Sequence, residues 1–122
     1  MAVPQNHPLT EVQVSAHSPS IGGTPIAAYA RAPFRGRIVN LAAVAGGSIT
    51  SADCSVACAV NAVAIGAGTI VLPVSSAAAG QVATATPTNA NVVSENDVIS
   101  FTPSGASGSN IPATFHAVIR RT

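Results

Sequence analysis

The chain has 122 residues, of which 7% are charged and 48% are apolar, and its formal net charge is +1. This length suits a single domain with one hydrophobic core. An ordinary soluble domain carries about 25% charged residues, so the low charge indicates a poorly solvated surface. All five basic residues are Arg and four acids offset them. This argues against a general nucleic-acid binder, because phosphate affinity grows with the number of charges neutralised.

The first eight residues, with the sequence MAVPQNHP, contain two prolines and no core pattern. They predict an extended arm, residues 1–8, that becomes ordered only against a partner surface, followed by one β-sandwich domain at 9–122. The arm has neither the basic nor the apolar region of a secretory signal, so we expect synthesis in the cytoplasm. No stretch of about 18 apolar residues is present, and no association with a membrane is expected.

Nine prolines and ten glycines are spread along the chain and leave little room for helices. Short β-type runs recur every 8 to 15 residues or so, with turn residues between them, which favours an antiparallel sandwich or barrel. In chain order, the predicted strands are 9–16, 25–31, 35–44, 55–60, 63–65, 69–74, 81–86, 98–102 and 113–120.

The clearest alternation lies in the run from 54 to 60. Cys54, Val56, Cys58 and Val60 face one way, and Ser or Ala residues occupy the positions between them. Because both faces are apolar or small, the pattern predicts a strand that is covered on both sides.

The turn and the last strand are also informative. Asn61 and Ala62 predict a two-residue hairpin turn, since Asn tolerates positive φ. In the last strand, Phe115 and Ile119 are expected in the core and His116 on the less buried face. A turn is predicted at 66–68 (GAG), and loops are predicted at 75–80, 86–91 and 103–110 from their small polar residues.

Three His, four acids and two Cys offer few candidates for chemistry. Cys54 and Cys58 would lie about 13 Å apart along a strand, and a disulfide needs Cα atoms within about 7 Å, so two buried, reduced thiols are predicted. No two histidines have a metal-ligand spacing. Glu95 and Asp97, which flank Asn96, predict a solvated turn or a pairing with an Arg across an interface. We therefore expect no catalytic, cofactor-binding or metal site, and no enzyme activity.

The arginines are the more informative charges. Arg35 and Arg37 alternate onto one face of a predicted strand, which is typical of a solvated edge strand or of an interface. Arg without Lys suits fixed, bidentate contacts. Together with the arm, these considerations give a hypothetical interface made of Val3, Pro4, His7, Pro8, Arg35, Arg37, Arg120 and Arg121.

The order of motifs between 32 and 120 supports a resemblance. In sequence they are APFRGRI (32–38), GSITSAD (47–53), VACAVN (56–61), GTI (68–70), AG (79–80), ATPT (85–88), ENDVI (95–99) and IPATF (111–115). This series resembles the small β-sandwich decoration, or cement, proteins of tailed-bacteriophage heads. It covers about three-quarters of the chain, and its motifs are strand-and-turn patterns. Family members commonly carry Asn-Gly at the hairpin, where this chain has Ala62.

The resemblance implies a jelly-roll-like antiparallel sandwich that forms a dimer or trimer and binds major capsid protein on the outer capsid surface. It brings no catalytic residues. The expected function is therefore a structural virion protein that stabilises contacts between capsid subunits. A second hypothesis is a tail-fibre or spike module that binds a host receptor or glycan, although Tyr29 is the only tyrosine and Trp is absent. A hydrolase on a jelly-roll scaffold is the third.

Overall fold

The computed structural model describes residues 11–49, 52–74, 79–105 and 110–121. These ranges contain nine β-strands and no helix, and therefore no helix able to cross a membrane. The strands are β1 (Glu11–Ser18), β2 (Ala28–Arg31), β3 (Gly36–Ala45), β4 (Cys54–Val60), β5 (Val63–Leu72), β6 (Val82–Ala85), β7 (Val92–Val93), β8 (Val98–Gly105) and β9 (Ala113–Arg121). The predicted arm at 1–8 lies outside the described residues.

The strands form two antiparallel sheets. The first sheet has the order β1-β9-β3-β6, with β7 also paired to β3, and the second has the order β2-β8-β4-β5. The pairs are nested about the β4–β5 hairpin: β3 pairs with β6 and β7, β2 with β8, and β1 with β9. This wrapping of one long antiparallel ribbon into two sheets is the jelly-roll arrangement. The all-β, jelly-roll-like sandwich predicted from the sequence is therefore confirmed.

The core lies between the two inner sheet faces. Phe101 of β8 and Phe115 of β9 are fully buried and stack across the two sheets, with ring centroids 5.1 Å apart and an interplanar angle of 10°. The inward alternation predicted for β4 and β9 is confirmed, since the predicted core residues in Cys54 to Val60 and in Phe115 to Ile119 are at most 7% exposed. The prediction that β4 is covered on both sides is wrong within this chain. A two-layer sandwich covers one face, and Ala57 on the other face is exposed.

The predicted hairpin at Asn61 and Ala62 is also confirmed. Both residues have positive φ, 48° and 71°, as a type I′ turn requires. The Asn61 N–H donates to the Val98 carbonyl at 2.9 Å, and the Asn61 side-chain oxygen accepts from the Val98 N–H at 2.9 Å. Asn therefore pins the turn to β8, which explains how the hairpin forms without glycine at the second position.

The turn predicted at 66–68 is wrong, because β5 runs unbroken through these residues. Ala57 pairs with Thr69 and Ala59 pairs with Ala64, so four residues of β5 lie opposite the single residue Cys58. Ala67 takes a φ of 56° in this bulge. The bulge accommodates the Gly-Ala-Gly sequence while the strand continues.

Two further strand assignments differ from the prediction. The loop predicted at 103–110 begins later, since β8 extends to Gly105, and 106–109 lie outside the described residues. The short strand β7 was missed, because only Val92 and Val93 pair with β3. Between β6 and β7 the predicted loop at 86–91 crosses towards the second sheet, where Asn89 bridges to Gly66. The buried Asn91 then exchanges hydrogen bonds of 2.7 and 2.8 Å with Ile38.

Truncation of the stacked ring pair tests this core. We expect Phe101→Ala and Phe115→Ala each to lower the free energy of unfolding by about 3–5 kcal/mol, because each leaves a cavity between the sheets. In a double-mutant cycle, urea unfolding is expected to reveal a coupling of about 0.5–1.5 kcal/mol between the rings. Tyr29→Ala is the matched aromatic control, since this side chain is 65% exposed, and a change within about 0.5 kcal/mol is expected. Additive effects of the two Phe changes would contradict direct contact.

Candidate interaction surfaces

One depression among the described residues is open to solvent and not enclosed. Its volume is ≈ 240 Å³, and it is lined by His17, Val44, Gly80, Pro112 and Thr114 among others. Pockets for small molecules usually hold about 300–1,000 Å³ and enclose most of the ligand. Within the same residues, no three His, Cys, Asp or Glu side chains are grouped as metal ligands would be. The outer surfaces of the two sheets are therefore the candidate functional regions.

Both described histidines lie on the outer face of the first sheet. His116 of β9 pairs in register with Ser15 of β1, and its Nδ1 atom lies 3.2 Å from the Ser15 hydroxyl. His17 pairs with Thr114 in the same ladder and is exposed. The prediction that His116 lies on the less buried face of the last strand is confirmed. His7 lies outside the described residues.

The two cysteines are buried and free of a disulfide, as the sequence predicts. Burial raises the pKa of the Cys58 thiol to about 12. Burial also raises the pKa of Cys54, against a smaller lowering effect from a hydrogen bond with the Ser104 backbone. Both side chains therefore remain protonated at neutral pH and pack as small apolar groups.

We expect the native protein to resist thiol reagents. At pH 8, labelling with Ellman's reagent should be at least about 100-fold slower in the native state than in guanidinium, because the thiolate is the reactive form and both thiols are buried. Two thiols should titrate in denaturant. Single Cys54→Ala and Cys58→Ala variants assign any residual native reactivity to one site. Rapid labelling of both thiols in the native protein would contradict the buried positions.

The acidic turn is confirmed as the connection before β8. The Ser94 N–H donates to the Asp97 carboxylate at 2.8 Å. This hydrogen bond, with a second from the Asn61 side chain, lowers the pKa of the Asp97 carboxyl. Glu95 is exposed. The guanidinium of Arg31 donates to the side-chain oxygen of Asn96 at 2.7 Å, so this turn is tied to β2.

Four arginines from the hypothetical interface converge on one corner of the first sheet. Arg37 of β3 pairs in register with Arg120 of β9, and Gly36 pairs with Arg121. Arg35 precedes β3 and is exposed. The edge-strand interpretation of Arg35 and Arg37 is wrong, because β3 lies inside the sheet between β9 and β6. The other four predicted interface residues, Val3, Pro4, His7 and Pro8, lie outside the described residues.

Two of these arginines have partners that the sequence analysis missed. Arg120 forms an ion pair with Glu11 of β1 at 2.6 Å. Both side chains are exposed, so the pair contributes at most about 1 kcal/mol. The guanidinium of Arg121 lies 4.2 Å from the centre of the Phe34 ring, a cation–π contact that holds it near the start of β3. The acid–base spacing of more than 100 residues gave no local signal for the first pair.

Charge is concentrated at one end of the sandwich. This charged end lies where β1 begins and β9 ends, beside the turns that precede β3 and β8. Backbone hydrogen bonds of 2.8 and 2.9 Å join Ala32 to Asp97 and Asn96 across those turns. Of the nine charged residues in the chain, only Asp53 lies elsewhere. The charged end contains Glu11, Arg31, Arg35, Arg37, Glu95, Asp97, Arg120 and Arg121.

The outer face of the second sheet is the opposite kind of surface. Registered rows of small, uncharged side chains cross its strands, and we call this the neutral face. Tyr29 and Val71, which are 65% and 45% exposed, are its largest apolar side chains. The sheet carries one charged residue, Arg31, at the end of β2. The neutral face consists of Tyr29, Ser55, Ala57, Ala59, Thr69, Val71, Ser100, Thr102 and Ser104.

Comparisons with known proteins support the fold. Neither a protein-family model nor a curated protein sequence matches the chain. Among solved structures, it is similar to a chain from the acidic stable capsid structure of Helicobacter pylori bacteriophage KHP30. The match covers 91% of this chain and 87% of that chain, with 12% sequence identity and a TM-score of 0.56. At this identity, the likeness shows that the two chains share a fold.

Proposed function

We propose that this chain is a structural protein of a bacteriophage virion that decorates the outer capsid and cements major capsid subunits together. The observation that carries the proposal is a jelly-roll fold shared, over nearly the whole chain, with a chain from a phage capsid structure. A fold can host many functions, so the surface of this chain supplies the second argument.

The composition of that surface suits burial against another protein. Interface cores are depleted in charged residues, and the neutral face has this composition across four strands. Apart from Tyr29, its side chains are short, so a neighbouring protein can approach the sheet closely. We propose that the chain works as a homo-oligomer, a dimer or trimer, on the capsid.

The proposed mechanism is mechanical and involves no catalysis. Apolar burial contributes about 25 cal/mol per Å² of area, and much of it is offset by the cost of ordering the partners. A single modest interface is therefore weak. Many symmetric copies on one shell add their contributions, and this multiplicity stabilises contacts between subunits against internal pressure.

Binding to empty shells tests the proposal directly. Purified protein is mixed with shells of the virus that encodes it, assembled without this chain, and separated on a density gradient. We expect saturable binding with a copy number that matches the shell symmetry, visible as density on the outer surface by electron cryo-microscopy. Shells that already carry the protein are the control and should take up no more. Failure to bind would contradict a capsid role, and binding to glycan arrays or tails would then favour the receptor-binding alternative.

The arm at 1–8 gives a second prediction. We expect deletion of these residues to leave the melting temperature unchanged, because the described domain begins with β1 at Glu11 and contains the core. Attachment to shells should weaken, because the arm is proposed to lie across a neighbouring subunit. Thermal unfolding and the same gradient assay measure the two effects. A lowered melting temperature would place the arm in the domain core, and unchanged attachment would remove it from the interface.

A further inference from the structure

Charged residues are clustered at the charged end to a degree that solvation of the surface does not require. It gathers five arginines and three carboxylates, a net charge of +2, in a chain whose total net charge is +1. Random placement of so few charges would spread them over both ends and both outer faces. Instead, the neutral face is almost free of charge and the opposite end carries Asp53 alone.

Two of the five arginines have no protein partner among the described residues. Arg31 donates a hydrogen bond to Asn96. Arg120 forms an ion pair with Glu11, and Arg121 contacts the Phe34 ring. Arg35 and Arg37 are exposed, and no hydrogen bond or ion pair within the described part of the chain engages either guanidinium. They are the cations that remain available to another molecule.

The backbone beneath these two arginines is fixed by close packing. Gly36, which separates them, is buried, and a Cβ at this position would collide with the Arg120 carbonyl oxygen and approach Ile119 Cγ2 to 2.9 Å. The strands β3 and β9 are therefore in close contact where Arg35 and Arg37 leave the sheet. Guanidinium groups on a rigid base lose less freedom when they bind a planar, bidentate anion such as a carboxylate.

The chemistry of the corner favours a protein over a nucleic acid. Glu11, Glu95 and Asp97 lie at the same end and would repel a continuous phosphate backbone. Two available cations are also few for nucleic acid, whose binding rests on many phosphate contacts. Discrete carboxylates on a protein surface match two arginines, and the neighbouring acids disfavour wrong alignments.

We infer that Arg35 and Arg37 form a docking site for paired carboxylates on a partner protein surface. The inference rests on the proposed function, so the partner is the capsid shell, and the charged end is the part of the molecule that meets it. Apolar contacts elsewhere give attachment strength, and the arginine pair sets the orientation of the molecule on the shell.

The experiment compares matched variants on the same empty shells. In Arg35→Gln/Arg37→Gln, we expect affinity at 50 mM salt to fall about tenfold or more, with a weaker dependence of affinity on salt. Gln81→Glu is the control for net charge alone: it lowers the net charge by one at the opposite end of the sandwich, beside Ala45 at the end of β3, and wild-type affinity is expected. Arg37→Lys keeps the charge and removes the planar fork, so an intermediate loss is expected. Melting temperatures establish that every variant is folded.

The outcomes separate this inference from the proposed function. If wild-type protein binds shells and the double Gln variant binds equally well, the docking site is wrong while the capsid role stands. If Gln81→Glu weakens binding as much as the double variant does per unit of net charge lost, net charge is responsible and the site is also wrong. If wild-type protein fails to bind shells at all, the docking site and the capsid role are both wrong. Salt-sensitive binding of the wild type to duplex DNA, lost in the double variant, would reassign the arginines to nucleic acid.

Discussion

The contact between the two inner sheet faces is the constraint on which the rest of the molecule depends. Phe101 and Phe115 stack at its centre, and the remaining core consists mainly of Ile, Val, Leu, Ala and Cys. The core side chains come from alternating positions, as in β4 and β9, so burial requires this alternation outside the bulges of β3 and β5. That requirement fixes the register, since a slip of one residue would turn each buried set to the solvent. The residues that this register does not bury form the outer faces of the two sheets.

Where a local pattern was sufficient, the sequence predicted the structure. The alternation from Cys54 to Val60 predicted one buried face, and Asn61 with Ala62 predicted the hairpin that follows. Long-range pairing was decisive where prediction failed. β5 continues through its Gly-Ala-Gly bulge because both flanking parts pair with β4. β7 consists of two valines that pair with β3 beyond the end of β6. The segment between β6 and β7 reaches Gly66 of the other sheet.

The candidate site divides in the same way. The arginines could be singled out from composition, because charged residues are rare in this chain and every basic residue is Arg. Their convergence could not be predicted, since Arg37 and Arg120 are neighbours only through the pairing of β3 with β9. The ion pair between Glu11 and Arg120 depends in addition on β1. The neutral face could not be predicted from the sequence either, because it combines residues from four separate strands.

The two surfaces complement each other physically in the proposed role. Association through apolar groups is non-directional and scales with area, so the Ala, Val and Tyr side chains of the neutral face would hold a neighbour without fixing its position. Arginine–carboxylate contacts depend on geometry and lose strength when the groups are misaligned. With charge gathered at one end, the arginines and the neutral face would supply orientation and contact area separately. A molecule that must repeat identically over a shell needs that separation, because an error of orientation in one copy would leave its neighbours without their contacts.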